Sequence, residues 1–154
     1  MSARKVRRAR PSELPTLLDL ATAFYAEGGF TTPVSELRDN LFVLLDSENA
    51  RVAIACGPDD EIAGFAITTL SFGLEDGCVA ELEDLFVRPT NRRSGIAGAL
   101  IDDSAEWAAS HGCRTLELVV ASNGNDVADL LGYYARRGFV DEGRRLLSRS
   151  LRRS

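Results

Sequence analysis

Residues 78–110 oblige the chain to pass from a strand into a helix across a short loop. CVAELEDLFV (78–87) reads as a β-strand, and Pro89 to Ser94 as a loop. From about Ser94 to Ser110 the apolar residues Ile96, Ala97, Leu100, Ile101, Ala105 and Ala108 recur at the helical period, which leaves Asp102, Asp103 and Glu106 to a solvated side. CRTLELVV (113–120) is then a short buried strand, and NDVADLLGYYARRG (125–138) a helix stopped at Gly138. Upstream, residues 4–10 alternate weakly. Ser12 is placed to cap a helix carrying Leu14, Leu17, Leu18, Ala21 and Phe24, which Gly28 and Gly29 end. A second helix is expected from Val34 to Leu45, and RVAIACG (51–57) pairs with EIAGFAITTLSFG (61–73) around the turn PDDE. One or two further strands are expected after Gly138. Antiparallel-looking strands followed by a strand–helix–strand–helix unit predict an α/β sandwich with a mixed sheet.

Composition narrows what such a fold can do. The 154 residues, 45% hydrophobic and 27% charged, suit one soluble domain over 1–154. No stretch approaches the ~20 apolar residues of a membrane span, and a net charge of −5 argues against a nucleic-acid partner. Of the 18 basic residues only Lys5 is not arginine, and they gather at Arg4–Arg10, Arg88–Arg93, Arg136–Arg137 and residues 144–153. Cys56, Cys78 and Cys113 are widely spaced with no C-x-x-C pair, so they are expected as reduced, small core residues of a cytoplasmic chain. The basic start MSARKVRRARP is not followed by a clean apolar run, because Glu13, Pro15, Asp19 and Glu27 interrupt it; no targeting presequence is expected.

The Arg88–Arg93 cluster differs from the others because it runs into glycines. In RRSGIAGAL (92–100), Gly95, Ala97, Gly98 and Ala99 carry little or no side chain, so an anion can approach the backbone where a helix N-terminus leaves amides unpaired. Arg92 and Arg93 add charged donors, and a pyrophosphate is the expected ligand. A Walker A loop needs Gly-Lys-Ser/Thr, and the sole lysine is Lys5. A dinucleotide fingerprint, for NAD or FAD, needs G-x-G-x-x-G/A with an acid near a strand end; here Ala97 stands at its second glycine and Glu117 lies inside LELVV. The third design, Arg/Gln-x-x-Gly-x-Gly/Ala, fits Arg92-Arg93-Ser94-Gly95-Ile96-Ala97.

With ELEDLFV before that loop, an amphipathic helix after it, and Tyr134-Ala135-Arg136-Arg137-Gly138-Phe139 further on as a Tyr-x-x-x-Gly-Phe segment, the chain resembles the GNAT family of N-acetyltransferases. The resemblance implies a GNAT-like α/β fold: a mixed, mostly antiparallel sheet of six or seven strands flanked by about four helices. It implies acetyl-CoA as cosubstrate, no metal, and direct transfer of acetyl to a primary amine. The pyrophosphate would lie on Arg92, Arg93, Ser94, Gly95, Ile96, Ala97, Gly98 and Ala99, and the pantetheine along the backbone of Leu85, Phe86 and Val87. Where the family commonly has an asparagine before the Tyr, this chain has Val127, so Asn125 is the substitute, with Asn123 and Asp126 close by.

The same resemblance makes Glu83 the base and Tyr134 the acid that protonates the departing thiolate. Regular alternation puts Glu81 on the same face as Glu83, and puts Asp84 with Leu82 and Phe86, where a carboxylate needs either a bulge or a polar partner. For the acceptor, Tyr25, Glu27, Phe30, Phe72 and Glu81, with Glu75 and Asp76 nearby, combine rings and acids in a way that suits a small cationic amine. A protein or peptide acceptor is an alternative, as is a non-catalytic acetyl-CoA-binding regulatory domain. Lone His111, at a helix end, reads as a capping or surface residue, and a homodimer is compatible with everything above.

Overall fold

The strands that form among the described residues are, in chain order, β1 (Lys5–Arg8), β2 (Ala50–Cys56), β3 (Ile62–Gly73), β4 (Gly77–Val87) and β5 (Leu116–Glu117). The helices are α1 (Leu14–Glu27), α2 (Val34–Asp46), α3 (Ile96–Ser110) and α4 (Ala128–Arg136). This computed structural model describes residues 5–122 and 124–152; Arg4, Asn123 and Arg153 lie outside the described residues. Two compact units are present, Met1–Val119 with the whole sheet and α1 to α3, and Val120–Ser154 with α4.

The sheet is mixed, ordered β1-β2-β3-β4-β5, with antiparallel pairing from β1 to β4 and a parallel β4–β5 pair. Residues opposed across a strand pair share a face. Val52 opposes Ile67, Ile54 opposes Phe65, and Phe65 opposes Phe86, so these large side chains line one face. There they form a core with Leu17, Leu20 and Ala21 of α1 and Leu41 and Leu45 of α2. On the other face Ala53 opposes Ala66 and Ala55 opposes Gly64. α3 covers this small-residue face, burying Ile96, Leu100, Ile101, Ser104 and Ala108. A Cβ at Gly64 would stand 2.6 Å from the Phe86 carbonyl oxygen, which leaves only glycine to fit there without backbone movement.

Several local expectations change. Ser12 caps nothing: Pro11–Glu13 is a turn of 3-10 helix. Glu13 instead accepts from the Arg10 amide at 2.7 Å and from both terminal Arg7 nitrogens at 2.8 Å, and the Arg7 guanidinium holds its carboxyl down at about 2. Asp103 is not simply solvated; it takes a bidentate pair from Arg51 at 2.8 and 3.0 Å, because Arg51 projects from the face that α3 covers. Ala105 is exposed, and Ser104 fills the buried slot by donating to the Leu100 carbonyl at 2.9 Å. Cys56 is core, whereas Cys78 and Cys113 are half-buried free thiols side by side, and burial together with the Cys78 thiol pushes Cys113 up to about 11.

The strand expected over 113–120 shrinks to two half-buried residues, and no strand forms over 139–152 among the described residues. Among the described residues the sheet therefore has five strands, not six or seven. A strand exists through its ladder. Without one, Val140, Leu146, Leu147 and Leu151 stand 76–90% exposed.

Candidate functional site

The loop after β4 is built to present amides. Arg88 continues the β3–β4 pairing by donating to the Ala63 carbonyl at 2.8 Å, after which Pro89–Asn91 makes a single turn of 3-10 helix. Arg93 (φ 61°) and Gly95 (φ 80°) then both enter the left-handed region, and α3 begins. For glycine this is free; for Arg93 it is a local strain. The Ala99 amide bonds the Gly95 carbonyl at 3.1 Å, so the amides of Gly95, Ile96, Ala97 and Gly98 precede the first turn's closure at the positive end of α3. Ile96 and Gly98 are buried, so only their backbone can serve a ligand. Ser94 is half-buried, and its hydroxyl donates to the Asn91 carbonyl, bracing the loop.

β4 itself leaves an edge open. It pairs with β5 only at Ala80–Leu116 and Glu81–Glu117, so beyond Glu81 its outer side has no ladder partner among the described residues. Leu85, Phe86 and Val87 lie on that stretch; Arg92 Nε already donates to the Val87 carbonyl at 3.0 Å. An extended polar chain can add to such an edge.

A bulge rearranges the acids. Ile67 opposes Asp84 and Thr68 opposes Leu82, so Glu83 is an extra residue in β4. The bulge reverses the alternation there: Leu82 turns to the α3 face, while Asp84 shares the α1 face with Phe86 and, through the Thr69 pairing, with Glu81. The expected grouping of Asp84 with Leu82 is thus corrected. Asp84 also has a polar partner, the Tyr25 hydroxyl of α1 at 3.3 Å. Burial raises the Asp84 carboxyl, partly countered by that hydroxyl, and burial with the Asp84 charge pushes Tyr25 up to about 12. Glu83 is exposed and accepts from Thr69 Oγ1 at 2.8 Å. Glu81 is pushed up to about 7, first by its contact with Glu83, then by burial and the charges of Glu83 and Glu117.

A raised carboxyl pKa favours the fold while the group is protonated, so Glu81 contributes stability at pH 5 that is lost as pH rises through about 7. Glu81→Gln is expected to raise Tm by about 1–2 °C at pH 8.5 and leave it unchanged at pH 5, after discounting the shift for solvent. Thermal melts at the two pH values check this; an equal change at both would remove the assignment.

The residues expected for the acceptor only partly converge. Tyr25 and Phe30 have ring centroids 5.3 Å apart, and Tyr25 reaches Asp84. Phe24 is a packing residue, stacked on Phe86 at 5.2 Å. Glu27 Oε1 and Oε2 both accept from Arg92 Nη2 at 2.8 Å. Phe72 stands 85% exposed where β3 turns towards β4, in ring contact with none of these. The Tyr25–Asp84 and Glu27–Arg92 pairs, 59 and 65 residues apart in sequence, had no local signal that could have announced them.

In the second unit Tyr134 is half-buried on α4, edge-on to Phe139 and to Tyr133, each at 5.5 Å. Gly138 (φ 90°) ends the helix and lets the Phe139 amide return to the Tyr134 carbonyl at 3.1 Å. Burial, then the neighbouring Tyr133, raise the Tyr134 hydroxyl, so at neutral pH it keeps its proton. Asn125 is exposed and its amide donates to Ser122 at 2.7 Å; Asp126 Oδ1 caps the start of α4 through the Ala128 amide at 2.9 Å. Arg137 lies over the Tyr133 ring at 5.2 Å. Among the described residues, no helix is long and apolar enough to cross a membrane.

The chain was compared with known proteins. A family model described as the acetyltransferase (GNAT) family matches residues 14–139. An aminoglycoside N(6')-acetyltransferase type 1 from Stenotrophomonas maltophilia is 30% identical over 149 residues, covering 93% of this chain and 90% of that protein. Among solved structures, an integron cassette protein from the mobile metagenome of a salt marsh is 28% identical with a TM-score of 0.83, covering 97% of this chain and 91% of its own. An aminoglycoside N-acetyltransferase solved in complex with CoA has a TM-score of 0.82 at 21% identity, covering 98% of this chain and 97% of its own.

Proposed function

The chain belongs to the acetyltransferase (GNAT) family and is an acetyl-CoA-dependent N-acetyltransferase, and from that premise we propose that its acceptor is a small cationic amine of the aminoglycoside kind. The observation that carries the cofactor side is the turn through Arg93 and Gly95 into α3, at the end of a strand whose outer edge is open past Glu81. The amides of Gly95 to Gly98 and the dipole of α3 hold the pyrophosphate, and the open edge at Leu85–Val87 takes the pantetheine amides.

On the acceptor side, Glu81, Glu83 and Asp84 concentrate negative charge beside the Tyr25 and Phe30 rings, a combination that attracts a polycation. Glu83 takes the proton from the ammonium, and the freed nitrogen attacks the thioester carbonyl. The new C–N bond forms as the C–S bond breaks, and Tyr134 donates its proton to the sulfur. A carboxyl near 7 at Glu81, next to that base, gives the proton a second resting place.

Thiol release from acetyl-CoA, measured over spermidine, kanamycin and a lysine-containing peptide, tests the acceptor. Kanamycin and spermidine are expected to turn over and the peptide not; the reverse order would replace the small amine by a peptide. If acetyl-CoA binds in a calorimeter and no amine raises thiol release, the acceptor reading falls; binding of NAD in place of CoA would overturn the cofactor reading.

A further inference from the structure

Arg92 occupies a position that two partners want. Its Nε is tied to the Val87 carbonyl at 3.0 Å and its guanidinium lies 5.6 Å over the Phe86 ring, so the head group is anchored to the end of β4. From there Nη2 donates to both carboxylate oxygens of Glu27 at 2.8 Å. In the chain, Arg92 directly precedes the amide turn of Arg93–Gly98, where an anion would bind.

Glu27 is poorly provided for without it. It is the last residue of α1, at the negative end of the helix dipole, and the last turn of α1 carries no basic residue. An acid there is disfavoured unless a cation from elsewhere covers it. Both side chains are partly solvent-exposed, 41% for Arg92 and 51% for Glu27, so the pair can open without unpacking the core.

We propose that Arg92 is a shared cation: the pyrophosphate of the cofactor draws it away from Glu27, and the uncovered Glu27 carboxylate then binds the ammonium of the acceptor. The cofactor thereby switches on a cation site next to Tyr25 and Phe30 that is neutralised in its absence. This inference rests on the assignment of CoA to the 92–98 turn. By linkage, whatever factor the cofactor contributes to amine binding, the amine contributes to cofactor binding. Glu27 is a positioning residue for Arg92 and a binding residue for the amine.

The test is a double-mutant cycle on CoA affinity by calorimetry at low ionic strength, where exposed pairs are least screened. Glu27→Gln removes the competitor of the pyrophosphate, so CoA is expected to bind about three- to five-fold tighter, the range of an exposed ion pair of good geometry. In an Arg92→Gln background the same change should leave CoA affinity unaltered. Pantetheine, which lacks the pyrophosphate, should bind wild type and Glu27→Gln alike. In steady state, Glu27→Gln should raise KM about three-fold or more for the best amine of the panel, with kcat within two-fold.

Each other outcome overturns a defined part. Equal or weaker CoA binding by Glu27→Gln, with wild type binding CoA normally, sinks the shared cation and leaves the cofactor site standing. Equal tightening in both backgrounds reduces the effect to a general change of charge and sinks it too. A fall in kcat at constant KM removes Glu27 from the amine. No CoA binding by wild type removes the cofactor reading itself.

Discussion

Replacing Tyr134 by phenylalanine is expected to lower kcat about 100-fold, or about 2.7 kcal/mol of transition-state stabilisation, and to change CoA affinity by less than two-fold. The substitution deletes one oxygen and keeps the ring that packs edge-on to Phe139 and Tyr133, so the fold of α4 should be untouched. What disappears is a proton that burial holds on the hydroxyl above its ordinary value. A group that still carries its proton at pH 7–8 can give it to a thiolate, whereas an ionised phenolate could not. The loss should be smallest with acetyl donors whose leaving thiol is most acidic, because such a thiolate needs no acid. Initial rates with acetyl-CoA and with an acetylated aryl thiol check this; an unchanged kcat with acetyl-CoA would take Tyr134 out of the chemistry.

Glu83→Gln should be comparably damaging, but only on the acid side. Below the amine's own pKa the ammonium predominates and a base must remove its proton, so a loss of about 100-fold is expected at pH 6. Towards pH 9.5 solvent does the work and the deficit should shrink to under about 10-fold. Glutamine keeps an oxygen to accept the Thr69 hydroxyl, so the bulge need not collapse. A pH-independent loss would point to positioning rather than proton transfer. If Glu81→Gln, and not Glu83→Gln, reproduces the tilted profile, the base is the half-buried member of the pair.

The turn from β4 into α3 was legible in the sequence because it is local. Arg92 to Gly98 are consecutive, their conformation depends on glycine and on a strand directly before them, and the period of the residues after them announces α3. The acceptor side was not, because its geometry is set by a register. No pattern within ELEDLFV says that Glu83 will be the extra residue; that follows from how β4 lies against Ile67 and Thr68 of β3. Once it does, Asp84 and Glu81 share a face although they stand three positions apart, and alternation alone gives the opposite answer. Phe72, also expected in the acceptor wall, stands 85% exposed at the end of the β3–β4 hairpin, a position that the residues around it in sequence do not announce. The missing last strands have the same root, since exposed Val140, Leu146, Leu147 and Leu151 have the composition of strands without a ladder.

The contrast between the two faces of the sheet decides how the protein can be damaged. Where Val52, Ile54, Phe65 and Ile67 meet α1 and α2, truncation leaves a hole; Phe65→Ala-type losses drain stability by about 3–5 kcal/mol and fall on every function at once. Where Ala53, Ala55, Gly64 and Ala66 meet α3, there is almost nothing to truncate, and the harmful changes are additions. An added methyl group at Gly64 meets the Phe86 carbonyl and Val87, and is expected to displace the end of β4 and the turn after it, the one proposed to hold the phosphates. Inactivating variants should therefore sort into two populations, one rescued by low temperature and one by high cofactor concentration.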